Sequence, residues 1–494
     1  MLGSCVALVD SAITAVTDDR LGAAEQILSD AVVRCPTHPR VGREFAALRF
    51  RQARYVEAES LAVGYLALVP GDSLAWQLLA TARYLNGDRD GALNAWNRVG
   101  LPHVQEVTLA GAPEHRRTGI VRVVAIPEPG VLTDAQLVLA RRRLNDLPSV
   151  ERASVTYQAT AADSVVVRAT IAERPLLGSW WRVAARTTAR AIGSQTVELE
   201  LTNAAGWGER WQAEWRWEPA RPRRALQWEM PVATGVVALE LGWERLRVAV
   251  DTAGAGVVED SWHEVLARFG WWRSSNLRPA FAVGLESWND ERRYVALSTQ
   301  TELRLARDRG RLLLAATQAL AVADHPSYQL AALRSIWVSS PMLQRTSWSA
   351  RLGADWSSAT APIGTWPLLN GGLDRAVPLR AEPDIAGSTM AARATGRLIV
   401  HGGLSADQPL ADAGPLTIGV GMFVDAARVD LSAQAGVGSR NYLDGGAGVR
   451  VGLGRGALGV VRLDLAWGLL RNDRRFGVSV GYHKEWPPWS RTSR

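Results

Sequence analysis

The chain is poor in the residues that most often announce a function. Of its 494 residues only two are cysteine, Cys5 and Cys35, and only one, Lys484, is lysine. The cysteines make no metal-ligand spacing and read as ordinary thiols. With lysine almost absent, the net charge of +7 rests on arginine. The arginines are scattered among acids, whereas a nucleic-acid surface would gather them into a stripe, so no nucleic-acid partner is expected. No apolar run approaches the about 18 residues of a membrane-crossing helix. That excludes a helical membrane protein but not a membrane barrel, in which every second residue can be polar. The seven histidines (His38, His103, His115, His263, His325, His401, His483) have no metal spacing, and there is no HExxH and no serine-centred elbow. Gly454-Arg455-Gly456-Ala457-Leu458-Gly459 has a dinucleotide-like glycine pattern, yet it precedes a strand. No helix N-terminus is there to hold a phosphate, and it reads as a turn. No cofactor, no metal and no enzymatic activity are expected.

What the chain does have is a change of texture in three parts. After about residue 176 apolar and polar residues alternate. Val197, Leu199 and Leu201 alternate with Glu198 and Glu200, and Trp211, Ala213, Trp215 and Trp217 with Gln212, Glu214, Arg216 and Glu218. Leu239, Leu241 and Trp243 oppose Glu240 and Glu244. Near the end Val461, Leu463, Leu465, Trp467 and Leu469 are followed by Phe476, Val478, Val480 and Tyr482. A period of two is a strand signal. Of the 21 tryptophans 19 lie after residue 176, which suggests the aromatic girdles of a transmembrane barrel. A large soluble β-protein with a Trp-rich core is the alternative. About 315 residues at roughly 20 for each strand and its turn support about 16 antiparallel strands.

The N-terminal part, residues 1–101, repeats. Ala24, Ala58 and Ala92 stand 34 residues apart, as do Pro36 and Pro70. Trp76, Leu79 and Ala80, a turn at Gly87, then Ala92 and Trp96 form the clearest unit. Small residues let helices approach, Trp and Leu fill the groove, and proline ends each second helix. The pattern resembles the tetratricopeptide repeat. Such a solenoid binds a peptide or partner protein, or serves as a spacer. Met1 to Val9 lacks a basic segment and a full apolar core, so no convincing signal peptide is seen. Leu2-Gly3-Ser4-Cys5 loosely resembles a lipobox, and a start assigned too far downstream would account for both features.

Residues 102–175 read as strand, helix, helix, strand, strand. Val104 to Ala110 alternates and ends at Gly111, and Arg116 to Ala125 can form a helix. Thr133 is a plausible N-cap with Gln136 at the capping-box position of a helix reaching about Asn145. Val150 to Tyr157 and Val165 to Ile171 form a hairpin. With Gly130, Leu132, Thr133, Leu144, Leu147, Val150, Val155 and Glu173-Arg174-Pro175, the module resembles a POTRA domain, as found before Omp85-type barrels. An exposed sheet edge there can pair with a client strand; a plain structural adaptor is the other reading.

In residues 176–494 three places resemble the Omp85 superfamily, also called the bacterial surface antigen D15 family. Gly371-Gly372 with Val377-Pro378-Leu379-Arg380-Ala381 looks like its inward-folded loop. Phe423-Val424-Asp425-Ala426-Ala427 looks like its Phe-Val-Asp-x-Gly strand. Gly445 to Arg450, then Arg462-Leu463-Asp464-Leu465-Ala466, looks like the strands before its last one. The resemblance implies that Arg380 reaches into the lumen and pairs with Asp425. It also implies a seam between a first strand near Trp180 to Ile192 and a last near Arg475 to Trp486. The chain departs from the pattern at Ala381, where glycine is usual, in the missing aromatic after it, and in a tail that runs past Tyr482 through Trp486-Pro487-Pro488-Trp489.

The expected architecture is therefore a helical solenoid, a small α/β domain and a C-terminal barrel. The resemblance implies a protein of the bacterial outer membrane, with its N-terminal modules in the periplasm. Its partners would be outer-membrane lipid and periplasmic client or partner proteins, which it would help to insert or translocate. A polysaccharide exporter and a surface scaffold or antigen are the alternatives.

Overall fold

The computed structural model describes residues 2–36, 38–111, 120–161, 163–174, 187, 191, 195–249, 256–306, 309–339, 346–369, 376–377, 379–381, 385–386, 389–390, 395–414, 416–430, 438–453, 459–470 and 475–483. They divide into two compact units. One comprises Met1–Asn145 with Glu151–Glu173, the other Asp146–Val150 with Arg174–Arg494.

The first unit begins with six helices, α1 (Leu2–Thr17), α2 (Leu21–Arg34), α3 (Pro39–Arg51), α4 (Tyr55–Leu68), α5 (Ser73–Leu85) and α6 (Arg89–Asn97). The 34-residue spacing puts Ala24, Ala58 and Ala92 at fully buried crossings, and Trp96 is buried beside the last of them. Trp76 is half-buried, its indole N–H donating to the Pro70 carbonyl at 2.9 Å. Asp72 caps α5: its Oδ1 accepts from the N–H groups of Leu74 and Ala75, and its Oδ2 from the Tyr65 hydroxyl. Burial alone would push this carboxyl up; the Ala75 N–H, the Tyr65 hydroxyl and the Leu74 N–H outweigh it and hold it below its ordinary value.

Cys5 and Cys35 are not thiols as the sequence suggested. They form a disulfide with a Cα–Cα distance of 6.1 Å. Antiparallel α1 and α2 bring the start of one helix beside the end of the other, and Val9, Ala31 and Val41 join the bridge in one buried cluster. A separation of 30 residues is what a helical hairpin spans, so spacing alone does not reveal the bond. The Cys5 sulfur is thereby taken, which removes the lipobox reading.

The α/β module follows: β1 (His103–Ala110), a helical stretch over residues 120–124, β2 (Gly130–Val131), α7 (Asp134–Asn145), β3 (Val150–Ala159) and β4 (Ser164–Glu173). The N-terminal part of the helix expected from Arg116 lies outside the described residues. The capping box forms: Thr133 N–H donates to Gln136 Oε1 at 2.8 Å and Gln136 N–H to Thr133 Oγ1 at 3.2 Å. Leu137, Ala140 and Leu144 of α7 are buried beside a sheet ordered β2-β1-β4-β3. Tyr84, Trp96 and Tyr157 meet with centroids 5.8 to 6.4 Å apart, so the last repeat and the module share one core.

The second unit is an antiparallel wall of fifteen long strands among the described residues, against about 16 expected. Ten come first: β5 (Thr196–Thr202), β6 (Arg210–Arg216), β7 (Arg223–Val232), β8 (Gly235–Ala249), β9 (Val257–Gly270), β10 (Leu277–Trp288), β11 (Arg292–Leu305), β12 (Gly310–Ala321), β13 (Tyr328–Val338) and β14 (Ser347–Ser357). An inserted segment with two-residue strands β15 (Leu368–Leu369), β16 (Ala376–Val377), β17 (Ile385–Ala386) and β18 (Thr389–Met390) separates them from β19 (Leu398–Ala413), β20 (Leu416–Asp430), β21 (Arg440–Leu453), β22 (Gly459–Gly468) and β23 (Phe476–His483). β14 pairs directly with β19, so the segment between them is not one of the long strands, and it touches the wall at Met390, which pairs with Val248 of β8. Strand order is that of a barrel, running from β5 round to β23 and back. The first strand expected near Trp180 to Ile192 falls outside the described residues except for Thr187 and Ala191, which are helical, and the first described strand begins at Thr196.

Burial in this wall is inverted. Leu199, Leu241, Leu285, Leu352, Leu404 and Met422 are more than half exposed, while Glu244, Asp407, Asp425, Asp444, Arg450 and Asp464 are buried. A soluble protein rarely exposes a contiguous apolar patch beyond a few hundred Å², and a charged interior within an apolar exterior is the arrangement of a barrel in lipid. β20 shows it residue by residue: Ile418, Val420, Met422 and Val424 face out, and Thr417, Gly421, Phe423 and Asp425 face in. Fifteen residues at about 3.3 Å each, tilted by about 45°, rise about 35 Å, enough for a hydrocarbon core. Not every tryptophan joins the exterior; Trp262, Trp272 and Trp288 are buried.

Candidate functional site in the barrel lumen

The segment between β14 and β19 turns inward. Its first part is a 3-10 turn, Ile363–Thr365, in which Gly364 N–H donates to Asp260 Oδ2 at 3.2 Å. Ile363 and Trp366 pack on a buried cluster that contains Trp262 and Trp288, stacked with centroids 4.5 Å apart. The inward Trp pair, missed in the sequence, serves as a seat for this segment.

Its later part carries Arg380. The guanidinium lies 3.8 Å from the centroid of Phe423, with Nε 3.3 Å from Asp425 Oδ2 and 3.7 Å from Asp464 Oδ2. Nη2 donates to Ser405 Oγ at 3.2 Å. Next to it Ala381 N–H donates to Asp444 Oδ2 at 2.9 Å. The strands around the segment supply more charge. Arg351 of β14 reaches Asp425 at 2.9 Å, and Arg450 of β21 reaches Asp407 at 2.8 Å and Asp464 at 2.5 Å. Arg462 Nε stands 3.6 Å from Asp464. Four arginines thus face four aspartates. An unpaired charge here would cost several kcal/mol, so the balance is what permits burial.

Glycine makes room for this. A Cβ on Gly477 of β23 would lie 2.6 Å from the Arg380 carbonyl oxygen and 3.0 Å from the Ala381 Cα, so only glycine lets that backbone pass against the strand. The structure therefore brings Arg380 and Asp425 together; Gly371 and Gly372 lie outside the described residues. Sequence reasoning quoted Arg450 and Asp464 without giving them a role, and missed Arg351, Asp407 and Asp444. The available signal was parity: each occupies an inward position of a strand whose outward positions are apolar.

Beside the first part of the inward segment, at Trp366, lies a cavity. Ala280, Ala282, Ser298, Gln300, Ala315 and Thr317 line this cavity of ≈ 170 Å³, with Glu264, Glu286 and Asp355 at its sides. Among the described residues no group of His, Cys, Asp or Glu could hold a metal ion.

No protein-family model matches the sequence, and no curated protein does. Among solved structures the chain is similar to BamA from Haemophilus ducreyi lacking POTRA domains 1–3, with a TM-score of 0.47 and 13% identity over 77% of this chain and 85% of that one. CdiB from Escherichia coli gives 0.49 and 12% over 78% and 76%, and CdiB from Acinetobacter baumannii 0.47 and 11% over 77% and 74%.

Proposed function

We propose that the chain is an outer-membrane protein that assists the insertion or translocation of other polypeptides, with its N-terminal unit in the periplasm receiving them. The observation that carries this reading is the inward segment locked at Arg380 by Asp425 and Asp464, on strands whose residues also carry the Omp85-like pattern. An apolar exterior and a charged interior support membrane placement. The Cys5–Cys35 disulfide supports an oxidising compartment for the N-terminal unit. β5 and β23, of seven and eight residues, are short beside the sixteen of β19, which suits a seam held by few hydrogen bonds.

Polysaccharide export is the second reading, favoured by the acids and tryptophans of the lumen cavity. Against it, the Trp262–Trp288 pair is engaged by Ile363 and Trp366, so those rings are used by the protein itself. Deleting residues 103–173 in cells tests both. Depletion of other barrel proteins from the outer membrane supports insertion, loss of surface polymer supports export, and no change leaves a scaffold.

A further inference from the structure

The outer face of the strand wall changes character along a single row of paired residues. Trp215 of β6 pairs with Arg224 of β7, Arg224 with Trp243 of β8, Trp243 with His263 of β9, His263 with Ser287 of β10 and Ser287 with Arg293 of β11. All lie on the outward parity, and Trp215, Arg224, His263 and Arg293 are exposed. Two residues to one side that parity is filled by Ala213, Leu226, Leu241, Val265, Leu285 and Val295, an unbroken apolar band. Two residues to the other side stand Arg245 and Ser261, then Arg247 and Glu259, with Glu259 3.5 Å from Arg245 and 3.2 Å from Arg247. The row is therefore the border between apolar and polar surface, the level at which tryptophan and snorkelling arginine meet lipid headgroups.

At this border the wall is hollowed. Trp215, Arg224, Leu226, Leu241, Trp243 and His263 border a shallow groove, with the small residues Ala225 and Gly242 also in its lining. The Arg224 guanidinium stands 5.6 Å from the Trp243 ring centroid. The carboxylates of the groove, Glu214 and Glu264, are on the inward parity, and Glu214 pairs with Arg223 at 3.6 Å. Among the described residues Arg224 has no carboxylate partner. A guanidinium donates two parallel hydrogen bonds to a phosphate, and an imidazole N–H can add a third. From that point Leu226, Leu241 and Val265 continue into the apolar band, where a free anion would gain nothing and an acyl chain would be covered.

We propose that this groove on β6 to β9 holds one membrane lipid, its phosphate on Arg224 and His263 between Trp215 and Trp243, and its chains against Leu226, Leu241 and Val265. The proposal rests on the placement of the wall in a membrane and is independent of what the protein inserts or translocates. The test is native mass spectrometry of the full chain, stripped of lipid in detergent and titrated with dioleoyl phosphatidylglycerol or with dioleoylglycerol, which has the same chains and no phosphate. The first phosphatidylglycerol should bind about tenfold more tightly than the diacylglycerol, the worth of one charge-assisted contact. Arg224→Gln should remove most of that preference. Arg428→Gln should leave it intact, because Arg428 is an exposed outward arginine of β20 that takes no part in the groove. Equal binding of the two lipids by the parent chain overturns the proposal, whether or not either variant folds. So does an equal loss in Arg428→Gln, which would reduce the effect to surface charge, and so does displacement of the lipid by an equal concentration of inorganic phosphate, which would leave the chains without a role. A chain whose gel mobility is unchanged by boiling would fail the membrane reading itself; a heat-shifting chain without lipid preference would fail this site alone.

Discussion

Two stretches of one strand wall are built on the same period of two and filled in opposite ways. On β19 to β22 the inward positions carry Asp407, Asp425, Asp444, Arg450 and Asp464, all buried, and Asp425, Asp444 and Asp464 meet the inward segment. On β10 to β12 the inward positions carry Ala280, Ala282, Ser298, Ala315 and Thr317, which face a cavity. The first stretch is specified by charge and tolerates no vacancy, since each buried ion depends on its partner. The second has few contacts to lose. One inserted segment is therefore held by charge at Arg380 and borders a cavity at Trp366.

Asp425→Ala should break that contrast most severely. It leaves Arg351 and Arg380 facing each other without their shared carboxylate, at a cost of about 3–5 kcal/mol. The expected result is loss of the folded species whose gel mobility changes on boiling. An unaltered heat-dependent shift would show that the network is not what holds the inward segment. Gly421→Ala comes next. Its Cβ would stand 2.3 Å from Asp407 Oδ1 and 2.5 Å from Arg450 Nη2, so the pair must move, at about 1–3 kcal/mol in chemical unfolding.

In the opposite stretch Ala315→Leu should stay within about 0.5 kcal/mol of the parent and lower ion conductance in a planar bilayer. Unchanged conductance would mean that the cavity is not on a path through the wall. The smallest effect concerns the N-terminal unit. Glu25 is held below its ordinary value of 4.5 by hydrogen bonds from Arg49 and then Gln52, as Asp72 is held below 3.8. Both carboxyls have folded values below their unfolded ones, so their stabilisation is full above about 4.5 and is lost as pH falls through the lower folded values. Helical circular dichroism of the repeat should melt at an unchanged temperature from pH 7 to about 5 and earlier below that. Glu25→Gln should flatten part of the fall.

Much of this was legible because alternation and helical repeats are local. Leu463, Leu465 and Trp467 declare an outward face by position alone, and Ala24, Ala58 and Ala92 mark their crossings by recurrence. Arg380 and Asp425 came from a resemblance, because nothing local ties two residues 45 positions apart; their distance is set by how the inserted segment enters the lumen. Arg450 and Asp407 were legible as inward charges but not as partners. The disulfide was missed for the same reason, since two cysteines 30 residues apart become neighbours only when a helical hairpin closes.

By itself the sequence determined which residues form strands, which side of each strand is apolar, and where helices cross, because each depends on a repeat of two, 3.6 or 34 residues along the chain. Tertiary structure alone decided which charges meet, which cysteines pair and where the inward segment borders a cavity. Those depend on side chains from elements far apart in sequence satisfying one another's hydrogen bonds and charge once water has been removed.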